Sequence, residues 1–233
     1  MRIEYHRTLL ADRVRNAAFR AALAAVIRPG ETVVADIGAG TGLIGLMAAR
    51  LGAREVFLYE MAEVAGVAAE ILKRNRARNC HLMPCHSTEM QDPPRVDVVV
   101  SETLGNYPFE EDIIETLNDA RARFLKPGGV VVPVRLEQIV APVVTGRLHA
   151  ELTVWDGVGA DLGLPLDLSP AMSLSLNNAY VRAIPASDLM AGGASARIWD
   201  EIDFAVRNRT TRQGEASWRL TGATTIYGFA TWW

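Results

Sequence analysis

Helical and strand-like patterns alternate in the first half of the chain. Apolar residues recur every three or four positions along 7–27, which is the spacing of one helix face, and Pro29-Gly30 ends that pattern. Short apolar runs typical of buried strands then alternate with further helical spacings. The predicted strands lie at 32–37, 55–59, 80–84, 96–100 and 129–134. The predicted helices between them lie at 43–51, 62–75 and 113–124. Such alternation predicts a doubly wound, Rossmann-like α/β domain with parallel strands.

The pattern changes after about Val134. The rest of the chain carries short β-rich segments separated by Gly, Pro, Ser or Asn, and no helix longer than a couple of turns is evident there. The β-rich segments are 137–144, 179–184, 201–206, 217–220 and 224–229. We therefore predict two domains. A Rossmann-like domain with an N-terminal helix occupies 1–134, and a mainly antiparallel, barrel-like β domain occupies 135–233.

The composition is that of an ordinary soluble globular enzyme. Of the 233 residues, 49% are apolar and 22% are charged, the net charge is -3, and two residues are cysteines. We expect a cytoplasmic protein that binds neither nucleic acid nor membranes, because the chain lacks a basic excess and any long uncharged apolar run. The run 80–86 holds two Cys-His pairs. Adjacent residues of a strand point to opposite faces, so we predict no metal site there.

A glycine-rich turn follows the first predicted strand. Asp36 ends the strand, and glycines then stand at alternate positions from Gly38, where a helix begins. Glycine lets the backbone turn sharply and approach a ligand closely. The run 40–45 also fits G-x-G-x-x-G, with Glu60 at the ribose-acid distance, so a nicotinamide cofactor is one alternative and a plain turn is another. An acid before the first glycine repels a pyrophosphate and suits a cofactor that has an amino group and no phosphate.

This glycine run resembles the first motif of the class I methyltransferases, whose cofactor is S-adenosylmethionine. That cofactor carries an amino group and no phosphate. The resemblance implies that Asp36, Gly38 and Gly40 bind the cofactor. It also implies that Glu60, which follows the second strand, binds the ribose.

A second acid follows the valine-rich strand at 96–100. Glu102 lies where doubly wound folds bind ligands, although a plain surface ion pair is an alternative explanation. The pattern Ser-Glu-x-x-Gly at 101–105, with a second glutamate at Glu111, resembles the double-glutamate loop of the protein arginine methyltransferases. The likeness implies catalytic roles for Glu102 and Glu111, because two carboxylates can grip a planar guanidinium through its forked N–H donors.

The N-terminal segment extends this resemblance. The stretch from His6 to Arg15 is similar to the family's segment before the cofactor domain. His6 and Arg15 would therefore reach the methionine end of the cofactor, with Arg15 pairing to its carboxylate. The family's acid at the adenine aligns with Ser87, Thr88 or Glu89, depending on a one-residue gap. We expect Glu89.

The resemblance implies an N-methyltransferase that moves a methyl group from S-adenosylmethionine to a guanidino nitrogen of arginine, in a protein or free. Positioning would supply most of the rate. The segment 155–168 resembles the family's dimerisation arm, so we expect a homodimer. Two alternatives stay open: a small-molecule methyltransferase on the same scaffold, and a partner protein that binds the cofactor but is catalytically idle.

The chain departs from the family in its loop and at its end. Thr103-Leu104 stand where the family's loop carries Trp-Met, which admits a different small-molecule amine as substrate. The last 14 residues are uncharged and end in Trp232-Trp233. An apolar end of this kind is exposed unless something covers it. We therefore expect a divergent, truncated sequence whose natural chain continues past Trp233.

Overall fold

The chain forms two compact units in the computed structural model, which describes residues 3–105, 107 and 111–233. The first unit consists of Met1–Leu136 and a returning segment, Ile202–Arg212. The second consists of Glu137–Glu201 and Gln213–Trp233. The division predicted from the sequence does not include a returning segment.

The first unit is built on a five-stranded parallel sheet. Its strands are β1 (Val33–Ile37), β2 (Glu55–Tyr59), β3 (Cys80–Met83), β4 (Val96–Ser101) and β5 (Leu125–Val132). They lie in the order β3-β2-β1-β4-β5, and each strand runs parallel to its neighbours. The predicted Rossmann-like α/β class is confirmed. The strand order reverses between β1 and β4, and sheets of this kind bind ligands at the carboxyl ends of those two strands.

The helices of this unit differ from the prediction mainly at the N-terminus. They are α1 (Ile3–Ala11), α2 (Arg13–Val26), α3 (Leu43–Arg50), α4 (Val64–Arg74) and α5 (Ile113–Arg123). The single helix predicted over 7–27 was wrong, because Asp12 divides it. Asp12 has an extended backbone, and its carboxylate accepts the Arg15 N–H at 2.9 Å. This is an N-cap, so Asp12 begins a new helix and places Arg15 in its first turn.

Apolar side chains pack on both faces of the sheet. One cluster surrounds Phe124 and lies against α5, and the other surrounds Leu23 and lies against α2 and α3. The returning segment completes the first cluster with Phe204. Asn118 and Asn208 also exchange two hydrogen bonds, of 2.8 and 2.9 Å. The return of the chain is therefore part of this core.

The second unit holds a small sheet and three short helices. Its strands are β6 (Arg135–Val143), β7 (Arg197–Asp203) and β8 (Gly228–Trp232), in the order β7-β6-β8, with β6 and β8 antiparallel. Between β6 and β7 lie α6 (Arg147–Leu152), α7 (Trp155–Leu162) and α8 (Ser169–Leu176). The structure describes all residues of the predicted strands at 179–184 and 217–220, and both segments are irregular rather than strands. Helix α7 was missed because its two glycines weaken the helical signal.

Candidate functional site

The turn between β1 and α3 requires glycine at two positions. Gly38 and Gly40 have φ angles of 69° and 57°, a left-handed conformation that residues with a Cβ rarely adopt. A Cβ on Gly38 would lie 2.2 Å from Thr103 Cγ2, and a Cβ on Gly40 would lie 3.2 Å from His6 Cε1. The Gly38 N–H donates to Tyr59 O at 2.9 Å. The turn is thus fixed against β2 and closely approached by two other segments.

A cavity of about 420 Å³ opens beside this turn, at the carboxyl ends of β1, β2 and β4. This volume is typical of a small-molecule site. Seven of the site residues predicted from the sequence line the cavity: His6, Arg15, Gly38, Gly40, Glu60, Glu102 and Glu111. Asp36 and Glu89 are not among the described residues that line it. The fold therefore gathers most, but not all, of the predicted set.

Asp36 lies beneath the turn and supports it. The side chain is buried, and its Oδ2 accepts the Gly45 N–H near the start of α3 at 2.7 Å. Oδ1 has no hydrogen-bond partner within the described residues. Burial raises the pKa of Asp36 to about 7, the Gly45 hydrogen bond lowers it, and nearby Glu60 raises it further. Since neighbouring strand residues alternate in direction, Ile37 lines the cavity and Asp36 points away from it.

Glu60 stands at the rim of the same turn. Its Oε2 accepts the Gly40 N–H and its Oε1 accepts the Ala62 N–H, both at 2.8 Å. Each carboxylate oxygen has a second lone pair, so both can accept a further hydrogen bond. The carboxylate is therefore held by the backbone and still able to bind a pair of hydroxyl groups.

Arg15 and Glu102 form an ion pair on the cavity wall. Arg15 Nη2 donates to Glu102 Oε2, and the two side chains are only 19% and 16% exposed. Arg15 Nη1 donates to Asn16 Oδ1 at 3.1 Å, and the guanidinium lies over the Phe19 ring at 5.3 Å. The Arg15 Nε group is buried and has no partner in the described part of the chain. The cationic partner that a partly buried Glu102 requires is thus Arg15.

His6 is the buried residue of α1. It is 8% exposed, and its Nε2 atom lacks a hydrogen-bond partner among the described residues. Its ring lies against Gly40. An unpaired ring nitrogen on a cavity wall is available to bind a polar ligand group.

Glu111 lies on the cavity wall in front of α5 and is exposed. It engages in an interaction, so its carboxylate is not free. Asp112, which follows it, has a φ of 50° and precedes the first residue of α5. Asn106 and 108–110, which belong to the predicted loop between the two glutamates, lie outside the described residues.

The 3-10 turn Ser87–Glu89 follows β3 at another part of the wall. Glu89 is exposed, whereas Ser87 is buried and lines the cavity. Tyr59 and Thr116 also line the cavity, and the sequence reasoning missed both. For Tyr59 a signal was available, because it directly precedes Glu60 at the carboxyl end of β2, where ligands bind.

The paired Cys-His run at 80–86 has other partners. His81 Nε2 is 2.6 Å from Glu55 Oε2, and His86 Nδ1 is 2.7 Å from Thr88 Oγ1. Within the described residues, no group of three His, Cys, Asp or Glu side chains is placed to hold a metal ion. No helix of the described chain is long and apolar enough to cross a bilayer.

Comparison with known proteins shows what this chain is similar to. The family described as Ribosomal protein L11 methyltransferase (PrmA) matches residues 20–134, which contain the sheet and its glycine turn. By sequence and by fold, the chain is similar to the protein arginine N-methyltransferases.

Two relatives illustrate the similarity in sequence. Protein arginine N-methyltransferase 6 of Danio rerio is 28% identical over 236 residues, covering 99% of this chain and 67% of the relative. Probable protein arginine N-methyltransferase 3 of Arabidopsis thaliana is 36% identical over 169 residues, covering 66% of this chain and 28% of the relative. The predicted resemblance to this family is confirmed.

Solved structures agree in fold. The Trypanosoma brucei PRMT1 enzyme-prozyme heterotetrameric complex with AdoHcy matches with a TM-score of 0.76 and 25% identity, over 87% of this chain and 62% of that chain. Protein arginine methyltransferase 10 of Arabidopsis thaliana matches with a TM-score of 0.70 and 23% identity, over 87% and 63%. The chain therefore spans somewhat less than two thirds of these two solved chains.

Proposed function

We propose that the chain binds S-adenosylmethionine and transfers its methyl group to a guanidino nitrogen of arginine, either in a protein or free. One observation carries the proposal. The two predicted glutamates, Glu102 and Glu111, line the same cavity as the glycine turn. A guanidinium held by these carboxylates would thus lie in one cavity with a cofactor held at the turn.

The turn offers the groups that a nucleoside requires. Glu60 would accept hydrogen bonds from the ribose hydroxyls, because the backbone already fixes its carboxylate. Gly38 and Gly40 would allow the cofactor to lie close to the backbone. We assign Asp36 a supporting role through its hydrogen bond to Gly45, rather than direct contact with the cofactor. The bound cofactor supplies an electrophilic methyl group on a positively charged sulfur.

Arg15 would bind the carboxylate at the methionine end, and His6 would contact the same end. The unpaired Arg15 Nε supports this role, since the guanidinium has donors left beyond those given to Glu102 and Asn16. Arg15 can therefore bridge the cofactor and Glu102. The ion pair with Arg15 also lowers the free-energy cost of keeping the Glu102 carboxylate partly buried before substrate enters.

Glu102 and Glu111 would hold the substrate guanidinium and leave one nitrogen facing the methyl group. Two charged hydrogen-bonding partners draw the positive charge toward two of the nitrogens. The third nitrogen would attack the methyl carbon in line while the carbon–sulfur bond breaks and leaves its electron pair on sulfur as a neutral thioether. One of the carboxylates would then take the proton from the methylated nitrogen. Most of the acceleration would come from this alignment.

The test replaces Glu102 by glutamine. E102Q keeps the shape of the side chain but removes the charge, so we expect methyl transfer to fall by a factor on the order of a hundred or more. The affinity for S-adenosylhomocysteine, measured by calorimetry, should change far less than turnover, because Glu102 acts on the cofactor only through Arg15. The matched control is E115Q, because Glu115 is exposed in the first turn of α5 and does not line the cavity. Equal turnover in both variants would refute the assigned role of Glu102.

The Arg15–Glu102 pair also supports a second candidate function, a cofactor-binding partner that is catalytically idle. A carboxylate already neutralised by an arginine binds a substrate arginine less strongly. The two functions separate in one comparison. An idle partner binds S-adenosylhomocysteine but methylates no arginine on its own.

A homodimer stays a proposal that rests on the segment 155–168. Three leucines of this segment, Leu162, Leu164 and Leu166, are 62%, 53% and 48% exposed in the second unit. Exposed apolar side chains in such a group are typical of an interaction surface. Sedimentation of the wild type and of a variant with all three changed to serine should show loss of the dimer. A cytoplasmic location stays a prediction from composition.

A further inference from the structure

Two hydroxyl groups in the cavity wall lack a hydrogen-bond partner. Tyr59 ends β2, and Ser87 begins the 3-10 turn after β3; both line the cavity and each is 1% exposed. Neither Tyr59 Oη nor Ser87 Oγ has a partner among the residues that the structure describes. Leaving a buried hydroxyl unpaired costs free energy, so a ligand that completes its hydrogen bonds is favoured.

The scaffold around both hydroxyls is firmly built. Arg123 Nη2 donates to Ser87 O at 3.0 Å, which ties the turn to the end of α5. Asp119 holds Arg123 through two hydrogen bonds of 2.7 Å. The Tyr59 ring meets the Phe124 ring edge-on, with centroids 5.3 Å apart. The two side chains therefore hold their positions without any bond to their own hydroxyls.

Their place in the cavity relates them to Glu60. Tyr59 directly precedes Glu60, the proposed ribose-binding acid. Cys85 and Val64 line the same cavity, so a base attached to that ribose would have both apolar and hydroxyl-bearing residues within the cavity wall. Arg123, which donates to Ser87 O, directly precedes Phe124, whose ring packs against Tyr59, so the Ser87 turn and Tyr59 are both held by the end of α5. Apolar atoms beside a few hydroxyls are suited to a flat heterocycle.

We propose that the Tyr59 and Ser87 hydroxyls bind the adenine edge of the cofactor, in the role that the sequence reasoning gave to the Glu89 carboxylate. The inference rests on the proposed function, because it takes the ligand to be an adenosyl compound. A hydroxyl both donates and accepts, and the adenine edge presents an amino donor beside a ring-nitrogen acceptor. Burial raises the pKa of Tyr59 to about 12, so its proton is retained at neutral pH.

Hydroxyl groups in place of a carboxylate would change which bases the cavity accepts. A carboxylate only accepts hydrogen bonds, so it would reject a base whose amino group is replaced by a carbonyl. Hydroxyls can reverse their hydrogen bonds and accept either base. S-inosylhomocysteine should therefore bind to the full chain within about tenfold of S-adenosylhomocysteine.

The experiment titrates S-adenosylhomocysteine into four forms of the chain by calorimetry. We expect Y59F and S87A each to lower the affinity about fivefold, the value of one net hydrogen bond. E89Q is the matched control, because Glu89 lies on the same turn but is exposed, and its affinity should stay within about twofold. Thermal unfolding of each variant, compared with wild type, verifies that the fold is kept.

The outcomes separate this inference from the proposed function. If wild type binds S-adenosylhomocysteine and only E89Q weakens it, or none of the variants does, the adenine assignment is overturned while the proposed cofactor stands. If Y59F and S87A weaken the binding of free adenosine but wild type methylates no arginine, the adenine assignment stands and the methyltransferase proposal fails. If wild type binds neither adenosine nor S-adenosylhomocysteine, both are overturned.

Discussion

The two ends of the cavity are held together by different kinds of contact. At the glycine turn, both oxygens of Glu60 accept backbone N–H groups, and Asp36 accepts the N–H of Gly45. At the other end, Arg15 and Glu102 bond to each other. A backbone N–H group is fixed by the fold, whereas each side chain of an ion pair can change its conformation and bind a ligand group instead of the other side chain. The turn is therefore a fixed template for one ligand, and the ion pair is a contact that a second ligand can rearrange.

The largest effect is expected from a methyl group at Gly38. G38A places a Cβ 2.2 Å from Thr103 Cγ2 and forces alanine into a φ of 69°. Overpacking and left-handed strain together should cost about 3–5 kcal/mol of folding free energy and abolish binding of S-adenosylhomocysteine. Denaturant unfolding and calorimetry measure both effects.

Two variants separate the steric part from the strain at Gly38. Gly30 has a φ of 75° but open space around it, so G30A should cost only about 1–2 kcal/mol and leave binding unchanged. Adding T103S to G38A removes the clashing methyl and should restore part of the stability. A cost for G30A equal to that for G38A would show that close approach to Thr103 is irrelevant.

A smaller effect is expected from Asp36 and depends on pH. Its folded pKa of about 7 lies above the unfolded value of 3.8, so the folded state retains a proton that the unfolded state loses. The stability that this group contributes is complete below pH 3.8 and is lost as the pH rises to about 7. D36N mimics the neutral acid. The stability of wild type relative to D36N should fall by roughly 2–4 kcal/mol over this range.

Denaturant unfolding at several pH values measures this difference. If both chains show the same pH dependence, Asp36 is ionised in the fold, and its buried position is stabilised in some other way. Unchanged affinity of D36N for S-adenosylhomocysteine at low pH would agree with a supporting role for Asp36 beneath the turn.

The smallest effect is expected from breaking the Arg15–Glu102 ion pair. R15M should cost about 1–2 kcal/mol of stability, since the pair is mostly shielded from solvent, and should lower S-adenosylhomocysteine affinity about tenfold. In a double-mutant cycle with E102Q, the two stability losses should be non-additive by about 1 kcal/mol. R13M is the control, because Arg13 is exposed on the same helix. Additive losses would mean that the two side chains do not stabilise each other.

The contrast between the two ends also explains what the sequence could predict. The glycine turn follows from local chemistry, because Gly38 and Gly40 adopt backbone angles that other residues avoid. Glu60 lies on the cavity wall because strand ends in a parallel sheet meet at one edge. The parallel sheet itself follows from the alternating pattern.

The rest depends on contacts between distant residues. Arg15 and Glu102 are 87 positions apart, and no local pattern shows that they pair. The cofactor role expected for Asp36 stays a prediction, and no local pattern shows its hydrogen bond to the Gly45 N–H. The adenine contact expected of Glu89 also stays a prediction, and the sequence does not show that Ser87 is the buried residue of that turn. In the second unit, the short helix α7 contains Gly157 and Gly159, and its periodicity is too weak to recognise.

The central claim is that this cavity delivers a methyl group to a guanidino nitrogen. The most direct measurement incubates the full chain with S-adenosylmethionine labelled on its methyl group, together with free arginine or an arginine-containing peptide, and locates the label by fragmentation mass spectrometry. The account predicts label on a guanidino nitrogen with wild type and E115Q, and label lower by a factor on the order of a hundred or more with E102Q. Label on another amine, or no label although S-adenosylhomocysteine binds, would contradict it.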